Sequence, residues 1–213
     1  MLLTQLTQLC PQVPIAVSPH VHGLLTETDC VRALQRGAAF GARWTVYLED
    51  DAYLAPAFPA EVVRLLQQAG SLGFLMVSFY SNAQRTLTAM AAGKGSCVIE
   101  PRYFWASVCV AVPSAMVPAI AAFAPGWYRD HPQHWHASDL LLAAFCASRC
   151  SDILVCVPSP VQHRDEPSTL RHMVKTRRYS RTFRAAYGPV PRLPGQAAVL
   201  DGQGPRRPGG RVA

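Results

Sequence analysis

Thr45-Val46-Tyr47-Leu48-Glu49-Asp50-Asp51 is the stretch from which both the fold and the site are read. Its first four residues are β-branched, aromatic and apolar, the composition of a strand buried on both faces, and three carboxylates end it abruptly. A simple turn uses Gly, Asn or a single Asp, whereas three adjacent carboxylates crowd like charge and require a cation. A divalent metal with hard oxygen ligands meets that need, and the carboxyl end of a strand is where open α/β sheets place their sites. The competing reading is an exposed acidic turn in which Asp50 or Asp51 caps the next segment.

Outward from this stretch, strands and helices alternate. Upstream, residues 13–17 read as a short strand, and Thr26 or Thr28 caps a helix whose apolar set is Val31, Leu34 and Ala38. Downstream, residues 59–68 read as a helix stopped by Gly70, residues 74–80 and 105–112 as buried strands, and 97–99 as a shorter one. Helices are expected over 114–123 and over 138–148, the latter with Ser138 as N-cap, and the last clear strand over 153–157. This alternation predicts one α/β domain, residues 1–188, with a mostly parallel central sheet flanked by helices. A Pro/Gly/Arg-rich tail whose composition predicts flexibility, residues 189–213, follows where apolar periodicity stops.

Composition narrows the function. The 213 residues are 50% hydrophobic and 15% charged, which excludes bulk disorder, and no apolar run approaches the roughly 18 to 20 residues of a spanning helix. No integral membrane segment is expected. The start Met1-Leu2-Leu3-Thr4-Gln5 lacks the basic and apolar regions of a secretory signal, so the expected location is cytoplasmic, peripheral at the inner membrane, or host cytoplasm for a viral chain. Seven cysteines without a CxxC pair read as core residues rather than a disulfide framework or a zinc site. From residue 161 onward eleven basic residues stand against three acidic, a net +8, while residues 1–160 carry nine against ten. The basic character belongs to the C-terminal quarter and points to an anionic partner or a solubilising tail.

Four motifs in order carry a family resemblance. Leu48-Glu49-Asp50-Asp51 after Trp44-Thr45-Val46-Tyr47, with a proline and Phe58 beyond, is the first. Gly95-Ser96 through Tyr103-Phe104-Trp105-Ala106 to Val112-Pro113-Ser114 is the second, and His136-Ala137-Ser138-Asp139 before three leucines the third. Val157-Pro158-Ser159-Pro160-Val161-Gln162-His163 is the fourth. Together they resemble nucleotide-sugar glycosyltransferases of the GT-A fold, especially the lipopolysaccharide-type family 25 and related bacterial and phage enzymes. The likeness spans residues 40–170. The chain departs from the pattern in the short region before Glu49 and in Ser138, which stands where many relatives have Glu.

The resemblance implies a DxD-like motif that holds Mn2+ or Mg2+ against the diphosphate of a nucleotide diphosphate sugar. Asp51 is then the direct metal ligand, Asp50 a weaker one, Glu49 a contact to ribose or metal-bound water, and His163 the residue completing the metal site. For an inverting transfer, Asp139 is the candidate base toward the acceptor hydroxyl. Arg164, with Arg171, Lys175, Arg177 and Arg178, lies just beyond His163, placed for a diphosphate or an anionic acceptor. Trp105 and Trp135 are candidates for stacking on sugar or base.

Three functions follow as expectations. The first is a metal-dependent glycosyltransferase, hexosyltransferase-like, acting on a glycan or lipid-linked acceptor. The second is a phage-type enzyme glycosylating a hydroxylated base in DNA, whose binding weakens with salt. The third is a catalytically silent binding protein that retains the fold. A nuclease ranks below these, because no second carboxylate cluster offers a two-metal site. The sequence leaves the sugar, the nucleotide and the oligomeric state open.

Overall fold

The Val46–Leu48 apolar run lies in strand β1, Trp44–Leu48, at one edge of a five-stranded sheet. A computed structural model of the chain describes residues 2–18, 26–134, 137–164 and 180–189. Before β1 come helices α1 (Leu2–Leu9) and α2 (Thr26–Ala38); after it come β2 (Ala52–Leu54), α3 (Phe58–Leu72), β3 (Val77–Ser78), α4 (Gln84–Ala91) and β4 (Ser96–Ile99). The chain continues through β5 (Cys109–Pro113), α5 (Val117–Asp130), α6 (Ser138–Ser148), β6 (Ile153–Cys156), β7 (Val161–His163) and α7 (Arg181–Tyr187).

The main sheet has the order β1-β5-β3-β6-β4, and β2 pairs with β7 in a separate two-stranded ribbon. The class is α/β, as expected, but the sheet is mostly antiparallel rather than mostly parallel. Only β3 and β6 run parallel; the β1–β5, β5–β3 and β6–β4 pairs are antiparallel. The reason lies in the connections. Two helices in succession, α5 and α6, separate β5 from β6, so the chain returns to the sheet reversed. The single helix α4 likewise returns the chain reversed into β4, whereas β4 and β5, joined by residues 100–108 with only a 3-10 turn at Pro101–Tyr103, run in the same direction. Because β5 opposes both β1 and β3, the strands β1, β3 and β6 share one direction, and their carboxyl ends meet the start of β5 at one edge.

Both sheet faces are covered, which is why the strands read as unbroken apolar runs. Along β5, Val110 and Val112 turn into a core shared with Leu34 of α2, Ile120 of α5 and Leu141 and Phe145 of α6. Cys109 and Ala111 turn into a second core with Leu65 and Ala69 of α3, Leu54 of β2 and Val161 of β7. Along β6, Ile153 and Val155 join the first core while Leu154 and Cys156 join the second, the two-residue alternation a strand imposes. Each fully buried Leu among these contributes about 2 kcal/mol of apolar burial.

Local readings shift at the ends of elements. Helix α3 passes through Gly70, where the Arg43 guanidinium packs against the glycine, and stops at Gly73, whose φ of 75° provides the left-handed cap. Residues 13–17 form no strand; Val13, Ile15 and Val17 are exposed there. Ser138 is the first residue of α6, with Ala137 in the cap position. The cysteines are all free, and Cys30, Cys109, Cys146 and Cys156 are buried. Among the described residues no helix is long and apolar enough to cross a membrane. The 189–213 tail lies outside the described residues from position 190 onward.

Candidate metal centre

Glu49 stands where β1 ends, and its backbone N–H donates to the Val108 carbonyl at 3.0 Å, extending the β1–β5 pairing by one step. Continued one step, the Leu48–Cys109 register sets Val108 opposite Glu49 and residue 107 one place beyond. Ser107 is buried, and its hydroxyl donates to Glu49 Oε1 at 3.0 Å. Two residues on, the chain turns into β2, where Ala52 lies opposite His163 of β7. The Arg164 N–H donates to the Asp51 carbonyl at 2.8 Å, which fastens the end of β7 to the acidic turn.

This pairing brings the sequence-distant His163 to the two carboxylates of the acidic turn. One ligand atom each from Glu49, Asp51 and His163 lies within 4.8 Å of the others, the one such group among the described residues. His163 Nε2 sits 2.9 Å from Asp51 Oδ2. Its Nδ1 lies 2.6 Å from the Arg164 carbonyl oxygen. A carbonyl only accepts, so Nδ1 carries a proton, and Nε2 is the nitrogen that either pairs with Asp51 as imidazolium or offers a lone pair to a metal. A backbone carbonyl fixing the tautomer in this way is the outer support usual for a metal-ligating histidine. Asp51 Oδ1 is buried and has no hydrogen-bond partner among the described residues.

The charges strain one another. Burial and the neighbouring Asp51 charge push the Glu49 carboxyl up to about 7, against the opposing pull of the Ser107 hydrogen bond and His163. For His163, burial acts downward, but the hydrogen bond and charge of Asp51, with the Arg164 carbonyl and Glu49, more than offset it, and its pKa is raised. Two carboxylates held together with one imidazole, one of their oxygens left bare, fit a divalent cation: two hard oxygens, one borderline nitrogen and a net negative charge.

The other candidate residues occupy definite places. Asp50 is exposed and outside the triad. Arg164 is buried; its guanidinium lies over the Tyr53 ring at 5.1 Å and reaches the Ala52 carbonyl and Gln5 side chain, while its backbone N–H and carbonyl bind Asp51 and His163 of the triad. Trp105 is 44% exposed in the loop leading to Ser107. Asp139, in the first turn of α6, accepts the Ala106 N–H on Oδ2 and the Leu140 N–H on Oδ1, both at 2.9 Å. His131 and His134 stack on Trp127, with ring centroids 4.9 and 6.3 Å away. Trp135, His136, Arg171, Lys175, Arg177 and Arg178 lie outside the described residues.

Ser107 is the member that sequence reasoning passes over. Its signal is a lone hydroxyl inside the apolar run from Phe104 to Pro113, where burial obliges it to find a polar partner. The chain matches no known protein-family model and no curated protein.

Proposed function

We propose that this chain is a metal-dependent glycosyltransferase that moves a sugar from a nucleotide diphosphate sugar to a hydroxyl acceptor on a glycan or lipid-linked molecule. The observation that carries the reading is the convergence of Glu49 and Asp51 with the sequence-distant His163 around an Asp51 oxygen that has no partner among the described residues. Asp51 and His163, with Glu49, are the residues that would hold Mn2+ or Mg2+. As a Lewis acid, the ion offsets the charge that builds on a leaving diphosphate.

The chain's own residues then have separate tasks. Ser107 orients Glu49, the Arg164 carbonyl orients His163, and the exposed Trp105 ring offers a stacking face beside the site. Asp50, outside the triad, is left for solvent or a second contact to the donor. The +8 charge beyond residue 160 favours one further acceptor, a hydroxylated base in DNA, and a steep fall of activity with salt would select it.

The test is a panel of nucleotide diphosphate sugars incubated with the protein and Mn2+, with nucleoside diphosphate release measured with and without EDTA. The expected result is EDTA-sensitive release from one donor, falling at least a hundredfold in Asp51→Ala. No release and no metal-dependent donor binding across the panel would replace the enzyme with a silent binding protein of the same fold.

A further inference from the structure

The third sequence motif grips the loop that supports Glu49. Ser138 Oγ lies 2.8 Å from Ser107 Oγ, and the adjacent Asp139 accepts the N–H of Ala106, the residue before Ser107. Consecutive residues of α6 thus hold consecutive residues of the loop. A carboxylate only accepts, so with Glu49 ionised Ser107 donates to it and Ser138 donates to Ser107. That gives a continuous chain of hydrogen bonds from the helix start to the end of β1.

Ala106 itself is unusual. Its φ is 74°, the left-handed region that a residue with a Cβ rarely adopts, and the residue is buried. Such a conformation persists only where the surroundings over-determine it. Asp139 is the side chain seen to hold it: Oδ2 takes the Ala106 amide while Oδ1 takes the Leu140 amide, one of the unpaired N–H groups of the first helical turn. The left-handed residue in turn sets the direction in which the chain enters Ser107 and β5.

We infer that Asp139 is a positioning residue rather than the acceptor's base: it holds Ala106 in the left-handed turn that presents Ser107 to Glu49. Each of its two oxygens already accepts a backbone amide, so taking a proton there would weaken the hydrogen bonds that hold the loop and the helix start. This inference deepens the metal-site reading and rests on it for its effect on affinity.

The test is Mn2+ affinity, from the loss of the free-ion electron paramagnetic resonance signal, together with melting temperature in EDTA, for wild type, Asp139→Asn, Asp139→Ala and Asp139→Ala/Ala106→Gly. Asparagine keeps an acceptor for the Ala106 amide but turns its NH2 toward the Leu140 N–H, so Asp139→Asn should bind Mn2+ with an affinity between those of wild type and Asp139→Ala. Asp139→Ala should bind roughly tenfold more weakly, the scale of lost outer-shell support. Glycine tolerates positive φ, so Ala106→Gly should restore most of that affinity and should raise the melting temperature more in the Asp139→Ala background than in wild type.

Equal Mn2+ affinity in wild type and Asp139→Ala would overturn the inference and leave the metal site standing. Absence of Mn2+ binding by wild type would overturn the metal reading instead. The hold on Ala106 is then decided by the melting temperatures alone, and an equal effect of Ala106→Gly in both backgrounds would refute it. A true base would show a third pattern, with metal affinity untouched in every variant and donor turnover lost in Asp139→Asn by a hundredfold or more.

Discussion

Replacing Glu49 by Gln should stabilise the metal-free protein, and more so as the pH rises. Glu49 is held among Asp51 and buried surroundings that push its carboxyl from an ordinary 4.5 up to about 7. A carboxyl raised on folding contributes its stability below the unfolded value, and that contribution is lost as pH climbs through the folded value. The gap between the two values, at about 1.4 kcal/mol per pH unit, corresponds to roughly 3 kcal/mol at full ionisation. Gln keeps the length of the side chain and an oxygen to accept from Ser107, so the hydrogen bond at 3.0 Å is retained while the charge goes. Urea unfolding of both proteins in EDTA at pH 5, 6, 7 and 8 should give nearly equal stabilities at pH 5, with the variant ahead by about 2 to 3 kcal/mol at pH 8. Adding Mn2+ at pH 8 should reverse the order, because a ligand bound only by the folded state stabilises the protein that binds it better. A stability difference that stays constant from pH 5 to 8, or a variant less stable throughout, would refute the reasoning.

Two further perturbations probe different parts of the account. His163→Ala in EDTA should destabilise most at acidic pH: the raised imidazole contributes its full stability below its ordinary 6.5, and this fades as pH rises through the higher folded value, so the unfolding free-energy gap between the two proteins should narrow from pH 6 upward. Gly37→Ala places a Cβ 2.6 Å from the Thr45 methyl, on a buried side chain tied to Ser114 Oγ at 2.8 Å, so overpacking of about 1 to 3 kcal/mol should outweigh the roughly 1 kcal/mol gained in helix propensity. The melting temperature should fall by a few degrees, and Thr45→Ser, which removes that methyl and keeps the hydroxyl, should restore it.

What the sequence made legible follows from how local each signal is. The run into Glu49 is a strand because β-branched and aromatic residues suit a pleated surface, but at the sheet edge only Thr45 of it is buried and Val46 is exposed, not the strand buried on both faces that its composition predicts. Helix α6 occupies residues 138–148 as its apolar spacing requires. Strand direction was not legible, because the number of helices does not set it: α3 alone leads to β3 running with β1, whereas α4 alone leads to β4 reversed against β3. The β2–β7 ribbon was missed: three-residue strands carry no periodicity, yet their register is what sets His163 beside Asp51. Helix α1 was missed too, although Leu2, Leu6 and Leu9 stand at helical spacing and pack partly buried against the second core, because eight residues give the pattern only two turns to show itself. Asp51 and His163 were readable as a pair only through the order of motifs, whereas Ser107 and the left-handed Ala106 needed coordinates, because a hydroxyl or an alanine in an apolar run does not announce its partner.

The central claim is that Glu49, Asp51 and His163 make a divalent-cation site, and its most direct test is a Mn2+ titration followed by electron paramagnetic resonance, comparing wild type with Asp51→Asn. The substitution keeps the shape of the side chain and removes the charge whose Oδ1 lies buried without a partner among the described residues. The account predicts one bound ion per wild-type chain and at least a tenfold loss of affinity in the variant. Equal binding by both proteins, or no binding by wild type, would contradict it.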